Sequence, residues 1–191
     1  MRPIVKSKGG YQNLIVYQQA VLIYDLTVQF CKKYLDEFKD KRTIEQMIQA
    51  ARSGKQNIVE ASLEKSLKMN IKLNGVARGS FGELLEDYKD FLRVRNLTIW
   101  NKNDSRLVPI RRMRISASKT NLSHLSNWTN NPERFANLML TLISKENYLL
   151  DNMIRVLEQK FIREGGYSEN LTKKRLNEKK RQASNWLGRQ W

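Results

Sequence analysis

The fold class of this chain is decided by the stretch KRTIEQMIQAARSGKQNIVEAS, residues 41–62. Its apolar residues recur three or four positions apart, which is the spacing of one face of an α-helix. That face comprises Ile44, Met47, Ile48, Ala51, Gly54, Ile58 and Ala61. Gly54 has no side chain, so a second helix can approach closely there. The pattern predicts an amphipathic helix, and Thr43 with Gln46 forms a capping signal at its start.

Three more segments show the same period, at about residues 14–37, 68–95 and 132–164. Ser80 with Glu83 resembles a capping box, but the apolar phase continues across it and favours one unbroken third helix. Asn131 and Pro132 are typical of the start of the fourth helix, and a glycine pair ends it. The first helix has the predicted core positions Tyr17, Ala20, Val21, Tyr24, Val28, Cys31, Leu35 and Phe38. The third has Leu73, Val76, Ala77, Phe81, Leu84, Tyr88, Phe91 and Leu92. The fourth has Phe135, Leu138, Met139, Leu142, Leu149, Met153, Leu157 and Phe161.

These helices predict an all-α protein, an up-and-down four-helix bundle over residues 1–164. Residues 96–131 are too long for an ordinary helix connection and are predicted to be a functional insert, with a short helix opened by Pro109. Residues 165–191 form a basic C-terminal suffix, in which Ser168 is predicted to cap a helix over 169–187. The apolar residues of that suffix are sparse, so it is expected to depend on a partner.

Charge is the strongest functional signal. The chain has 35 Lys and Arg against 19 Asp and Glu, a formal net charge of +16. Residues 97–131 and 165–191 supply +5 each. Solubility requires a net charge of only about 2 to 8 on a small domain, so this excess favours a nucleic-acid partner. Anionic membrane surfaces and acidic proteins are the alternatives.

Three groups of residues are candidates for phosphate binding, because Lys and Arg donate hydrogen bonds to phosphate oxygens. The insert contributes Arg111, Arg112, Arg114 and Lys119. The suffix contributes Lys173, Lys174, Arg175, Lys179, Lys180 and Arg181. Arg52 and Lys55 on the second helix add a patch that is also compatible with ordinary surface. Trp186 is either a platform for unpaired bases or a residue that docks on the bundle, and the sequence leaves both open.

Catalytic and metal sites are not indicated. The carboxylates Glu83, Glu86, Asp87 and Asp90 lack the histidines of a di-metal bundle, so they are interpreted as a solvated helix face or as intersubunit salt bridges. His124 is a lone surface histidine, and Cys31 is a small core residue. Gly75 and Gly79 are predicted to form a smooth packing ridge. A non-enzymatic protein without cofactor or metal is expected.

Location follows from what the sequence lacks. No segment has the roughly 20 consecutive apolar residues that span a bilayer, and the basic start is not followed by the apolar core of a secretory signal. A single cysteine excludes an internal disulfide. A cytoplasmic protein that does not enter a membrane is expected.

Several segments resemble a bacterial four-helix-bundle family, first noticed as proteins encoded within intervening sequences of 23S ribosomal RNA genes. They are YQNLIVYQQAVLIYDLTVQF (11–30), the stretch at 41–62 and VARGSFGELLEDYKDFL (76–92). The segments LTIWNKND (97–104), NYLLDNMIRVLEQKF (147–161) and EGGYSENLTKKRL (164–176) resemble its subfamily of four helix bundle suffix proteins. The family's motifs are helix-packing motifs, so no functional residue is carried over from it.

The same family is similar to the accessory variability determinant of diversity-generating retroelements. That protein is a basic, barrel-like homopentamer that binds a reverse transcriptase and nucleic acid. The resemblance therefore implies a five-fold ring with an electropositive surface.

Charge and resemblance together predict a non-enzymatic, oligomeric accessory protein. It would bind RNA or DNA through phosphate contacts and assist a reverse transcriptase. The alternative is a protein-interaction scaffold, or a bundle associated with the ribosome and its RNA, whose basic tail binds an acidic partner.

Overall fold

The computed structural model of the protein describes residues 10–113 and 125–187. Its α-helices are α1 (Ile15–Tyr34), α2 (Lys41–Leu63), α3 (Leu67–Val94), α4 (Val108–Arg112), α5 (Ser126–Thr129), α6 (Pro132–Glu164) and α7 (Tyr167–Leu187). Short 3₁₀ turns lie at Tyr11–Asn13 and Ser105–Leu107. No strand occurs within these described ranges. The prediction of an all-α fold is confirmed.

Four long helices enclose the core, in the neighbour order α1, α2, α3 and α6, with α6 closing against α1. The Gln19 amide near the start of α1 donates to the Leu142 carbonyl of α6 at 2.8 Å. The Tyr34 hydroxyl at the end of α1 donates to the Thr129 carbonyl, just before α6, at 2.7 Å. Because the later position in α1 meets the earlier position near α6, the two helices run in opposite directions.

Aromatic residues fill one end of the core. The ring of Phe30 lies edge-on to three others, with centroid distances of 4.7 Å to Phe91, 4.9 Å to Tyr88 and 5.3 Å to Phe135. Such edge-to-face pairs place the positive ring edge against the negative ring face. Cys31 is buried beside them, as predicted, and burial raises the pKa of its thiol to about 12. The four long helices all contribute side chains to one continuous core.

Glycine positions distinguish two kinds of helix surface. A Cβ added to Gly54 would lie 2.6 Å from the ring of Phe81, so α2 and α3 meet as closely as the sequence predicts. The packing ridge predicted at Gly75 and Gly79 is wrong for the described chain. A Cβ added at either position would meet nothing within 4 Å, because this side of α3 faces outward.

The buried face of α1 matches the predicted one only in part, since Ala20 and Cys31 are buried but other predicted positions are not. Val28 is 36% exposed and Phe38 is 91% exposed, whereas Ile23, Leu26 and Phe30 are buried. α1 is apolar on more than one side, so the three-and-four spacing alone allowed two faces. The helix also ends at Tyr34, where the next residue becomes extended, and the predicted continuation to residue 37 is wrong. Val76 on α3 is likewise exposed.

The predicted start and end of α6 are confirmed, whereas two predicted N-caps are wrong. The Asn131 side chain accepts from the Arg134 backbone N–H at 3.0 Å, as predicted for α6, and Gly165 with φ 74° ends that helix. Thr43 caps nothing, because α2 already begins at Lys41. Ser168 lies inside α7, which begins at Tyr167.

The insert packs on α6. The Trp100 backbone N–H donates to the Asn137 side chain at 2.8 Å, and the Asn137 amide returns a bond to the Thr98 carbonyl at 2.8 Å. The Trp100 indole donates to Glu133 at 2.8 Å. Pro109 lies at the start of α4, as predicted. No helix in the described part of the chain is long and apolar enough to cross a membrane.

Candidate nucleic-acid interface

α7 carries the densest positive charge of the described chain. It is about 31 Å long, and every residue from 171 to 186 is exposed. Successive residues turn by about 100°, so Lys173, Lys174 and Arg175 alone point across more than half of the helix circumference. Its six basic residues are Lys173, Lys174, Arg175, Lys179, Lys180 and Arg181.

The charges of α7 are mostly unneutralised. Arg181 pairs with Glu178 at 2.9 Å, whereas the other five bases have no ion pair within the described residues. An exposed ion pair of this kind adds little stability, so it hardly restrains the helix. Trp186 is 64% exposed and does not dock on the described bundle. The basic side chains are therefore free to approach an anionic partner.

The insert places a second pair of bases at the surface. Arg111 and Arg112 are exposed at the end of α4. The other two predicted binding residues of the insert, Arg114 and Lys119, lie outside the described residues. α6 continues for about 28 Å from Lys145, which contacts Met113 of the insert, to its own end at Glu164, just before α7. The two basic stretches are thus attached at different levels of the bundle.

An arginine and two tryptophans in the insert were not anticipated from sequence. The guanidinium of Arg106 lies 3.7 Å from the ring centroid of Trp100, and the rings of Trp100 and Trp128 are 6.2 Å apart. Arg106 also binds Asp104 at 2.7 Å, which lowers the pKa of that carboxyl to about 2. Trp100 and Arg106 are six residues apart and join no helical face, so spacing could not reveal the contact.

Of the three candidate groups of basic residues, the patch on α2 is the least suited to bind phosphate. Arg52 is exposed, but the Lys55 ammonium lies 4.1 Å from the ring centroid of Tyr24 and is partly engaged there. The adjoining groove between α2 and α3 includes three acidic residues, Glu45, Glu83 and Asp87. Ser53, the neighbour of Arg52, lines this groove, so the negative charge there reduces the attraction of Arg52 for phosphate.

The acidic residues of α3 lie in different environments. Glu86 pairs with Lys89 at 2.7 Å and Asp90 pairs with Arg93 at 2.8 Å, both on the helix surface. These contacts agree with the interpretation as a solvated face. Burial, with the nearby Asp90 and Glu83, raises the pKa of Asp87. Across the described residues, no cluster of three or more His, Cys, Asp or Glu is arranged to hold a metal, and His124 lies outside them.

One buried carboxyl escaped the sequence analysis. Glu146 of α6 is fully buried, neither of its oxygens has a hydrogen-bond partner in the described chain, and burial raises its pKa well above the usual range. It occupies the helical position between Leu142 and Leu149 on the predicted apolar face. A polar residue on an otherwise apolar helix face was the sequence feature that could have indicated a buried carboxyl.

No family model, curated protein or solved structure matches this chain. The resemblance to the four-helix-bundle family therefore stays a prediction.

Proposed function

We propose that this protein is a non-enzymatic, oligomeric nucleic-acid-binding protein that contacts phosphates through α7 and, secondarily, through Arg111 and Arg112. The observation that supports the proposal is the exposed length of α7, where five of six bases lack an ion pair within the described residues. The Lys and Arg side chains lie on all sides of α7. This distribution suits a nucleic-acid groove that has a row of phosphates on each wall. The major groove of DNA, about 12 Å wide, admits such a helix.

Binding through phosphate contacts does not depend on the sequence of the nucleic acid. Phosphate contacts position a protein on nucleic acid, whereas base contacts specify where it binds. The resemblance supports a setting beside a reverse transcriptase, with the protein as its accessory. A gene neighbourhood that contains a reverse transcriptase and a variable repeat tests this setting.

Fluorescence anisotropy with labelled duplex DNA and single-stranded RNA of unrelated sequences tests the binding itself. For six to ten phosphate contacts, affinity falls by roughly 10³ to 10⁵ between about 50 and 200 mM salt, because bound counterions are released. Similar affinities for unrelated sequences are expected. Tight binding to one sequence with little salt dependence contradicts the proposal.

A matched pair of triple variants locates the contacts. Changing Lys173, Lys174 and Arg175 to Glu reverses three charges on α7 and should weaken binding at least about tenfold. Changing the exposed Lys65, Lys68 and Lys72 to Glu makes the same change in net charge elsewhere, and we expect less than about a threefold effect. Equal losses in both would show that net charge alone, and not α7, attracts the nucleic acid.

A scaffold that binds an acidic protein is the second candidate. It is favoured by the apolar residues that α7 exposes beside its bases, with Leu171 at 53%, Leu176 at 52% and Trp186 at 64% exposure. A partner helix could cover these side chains as well as neutralise the charge. Nuclease treatment of freshly purified protein separates the two, because only a nucleic-acid binder loses co-purifying absorbance of nucleobases.

A further inference from the structure

A cavity of about 630 Å³ lies between the insert, α3 and α6. This volume falls within the roughly 300–1,000 Å³ typical of sites for small organic ligands. Most of its wall surface is apolar and includes the side chains of Leu85, Ile99, Trp100, Leu107, Leu140 and Leu149. Ile99 and Tyr148 on its border are 48% and 66% exposed. The cavity is thus an open groove whose apolar surface the described chain leaves uncovered.

The walls of this groove are fixed before any ligand arrives. On one side, Asn137 and Glu133 of α6 hold the backbone and indole of Trp100 by the hydrogen bonds described above. On the other, the Lys145 ammonium donates to the Met113 carbonyl at 2.8 Å and holds the part of the insert that follows α4. A preformed site loses less conformational entropy on binding than one that must be ordered.

Positive charge surrounds the apolar walls. Four cationic residues line the groove, Lys89, Lys102, Arg111 and Lys145, and none of its described lining residues is acidic. Lys89 forms an ion pair with Glu86, whereas Lys102 and Arg111 are exposed and have no ion pair within the described residues. Such an arrangement attracts a negative group to the border of the groove and leaves the apolar interior for the rest of the ligand.

We propose that this groove binds a small amphipathic anion, which has one carboxylate or sulfonate head and a hydrocarbon or aryl body. A free phosphate would leave the aliphatic walls without a partner, and a neutral hydrocarbon would leave Lys102 and Arg111 without one. Charge complementarity at the border and apolar burial in the interior select a ligand that has both parts. This site shares Arg111 with the nucleic-acid proposal, but it is separate from α7 and does not rest on that proposal.

Two ligands of equal chain length test the charge requirement. Dodecanoate and dodecyltrimethylammonium are titrated into the full-length protein by calorimetry, below their micelle concentrations. We expect saturable 1:1 binding of dodecanoate at least about tenfold tighter than that of the cation, which corresponds to one decade of Kd. Equal affinity for the two, or no saturable binding of dodecanoate, overturns the proposal.

Two matched pairs of variants locate the binding. Ser144→Trp fills the groove from the exposed surface of α6 and should abolish dodecanoate binding, whereas Ser144→Ala leaves the space open and should preserve it. Lys102→Glu should weaken binding several-fold, and Lys68→Glu, an equal charge change outside the groove, should not. Circular dichroism checks that each variant is folded. Unchanged dodecanoate binding in folded Ser144→Trp would place the ligand elsewhere, for example on α7, and overturn the assignment.

Discussion

At the residue scale, the two glycines Gly54 and Gly79 respond in opposite ways to one added methyl group. Gly54→Ala places a Cβ 2.6 Å from the rigid ring of Phe81. Overpacking of a core costs about 1–3 kcal/mol, whereas the gain in helix propensity is about 1 kcal/mol at most. We expect a net loss of stability, measured as a lower midpoint of urea unfolding.

Gly79→Ala is the matched control, because its Cβ would meet nothing within 4 Å. Here only helix propensity changes, and we expect a gain of about 0.5–1 kcal/mol. A Gly54→Ala variant that is at least as stable as the original protein would contradict the close approach of α2 and α3. A loss of stability in Gly79→Ala would show that this outward face is covered in the assembled protein.

Glu146 makes stability depend on pH. Burial raises the pKa of this carboxyl in the folded protein well above its ordinary value of 4.5. Between those two pKa values, the unfolded chain has released the proton while the folded protein retains it. The free energy of unfolding therefore falls as pH rises above about 4.5, by about 1.4 kcal/mol per unit until the folded carboxyl ionises.

Glu146→Gln removes this titration and keeps the shape of the side chain. We expect the variant to be more stable than the original protein at pH 7, and the difference to shrink as the pH is lowered toward 4.5. Urea unfolding at several pH values measures it. The exposed Glu158→Gln on the same helix is the control and should leave the pH dependence unchanged. Parallel curves for Glu146→Gln and the original protein would refute a buried, neutral Glu146.

The environment of some of these residues could be predicted from their identity and position, and that of others could not. Cys31 and Gly54 were predicted correctly, because a small residue within a regular apolar helix face is usually buried against a neighbouring helix. Glu146 and Lys145 were missed, because charged residues on a helix are normally solvated. Their environment depends on which segments of the chain pack against α6, and that information is not local.

At the element scale, α7 is a helix that contributes little to the core. Its residues 171–186 are all exposed, so its removal exposes almost no apolar surface of the bundle. We expect a chain that ends at Glu164 to keep the melting temperature of the full protein and to bind nucleic acid at least about tenfold more weakly, a change of about 1.4 kcal/mol.

Circular dichroism, size-exclusion chromatography and anisotropy measure the three consequences of this truncation. A lower melting temperature or a smaller assembly would show that α7 packs across a subunit boundary as a structural suffix. Unchanged nucleic-acid affinity would move the binding site to Arg111, Arg112 and the α2 patch.

At the scale of the whole molecule, exposed apolar residues favour self-association. α6 extends beyond the well-buried part of the core, and its second half exposes Val156 at 63% and Ile162 at 82%. A surface of this kind is costly in an isolated chain and is commonly covered in symmetric assemblies. We expect a ring-like homo-oligomer, detected by light scattering at micromolar concentration.

A mass near the 22.5 kDa of one chain would contradict this expectation. Changing Val156 and Ile162 together to Lys should shift the mass toward that of one chain. The control changes the exposed Glu164 to Lys, which adds the same charge outside the helix face that carries Val156 and Ile162, and should keep the assembly intact.

The sequence by itself determined the helical class, the approximate extent of the long helices and the concentration of positive charge at the insert and suffix. These properties are local, since apolar spacing, caps and charge are fixed by neighbours along the chain. Only the tertiary structure decided which side of α1 is buried, that Gly54 meets Phe81, that Glu146 lies without a partner in the core, and that the insert forms a cationic groove with α3 and α6. Each of these depends on contacts between residues far apart in sequence, which packing selects from several arrangements that the local pattern allows equally.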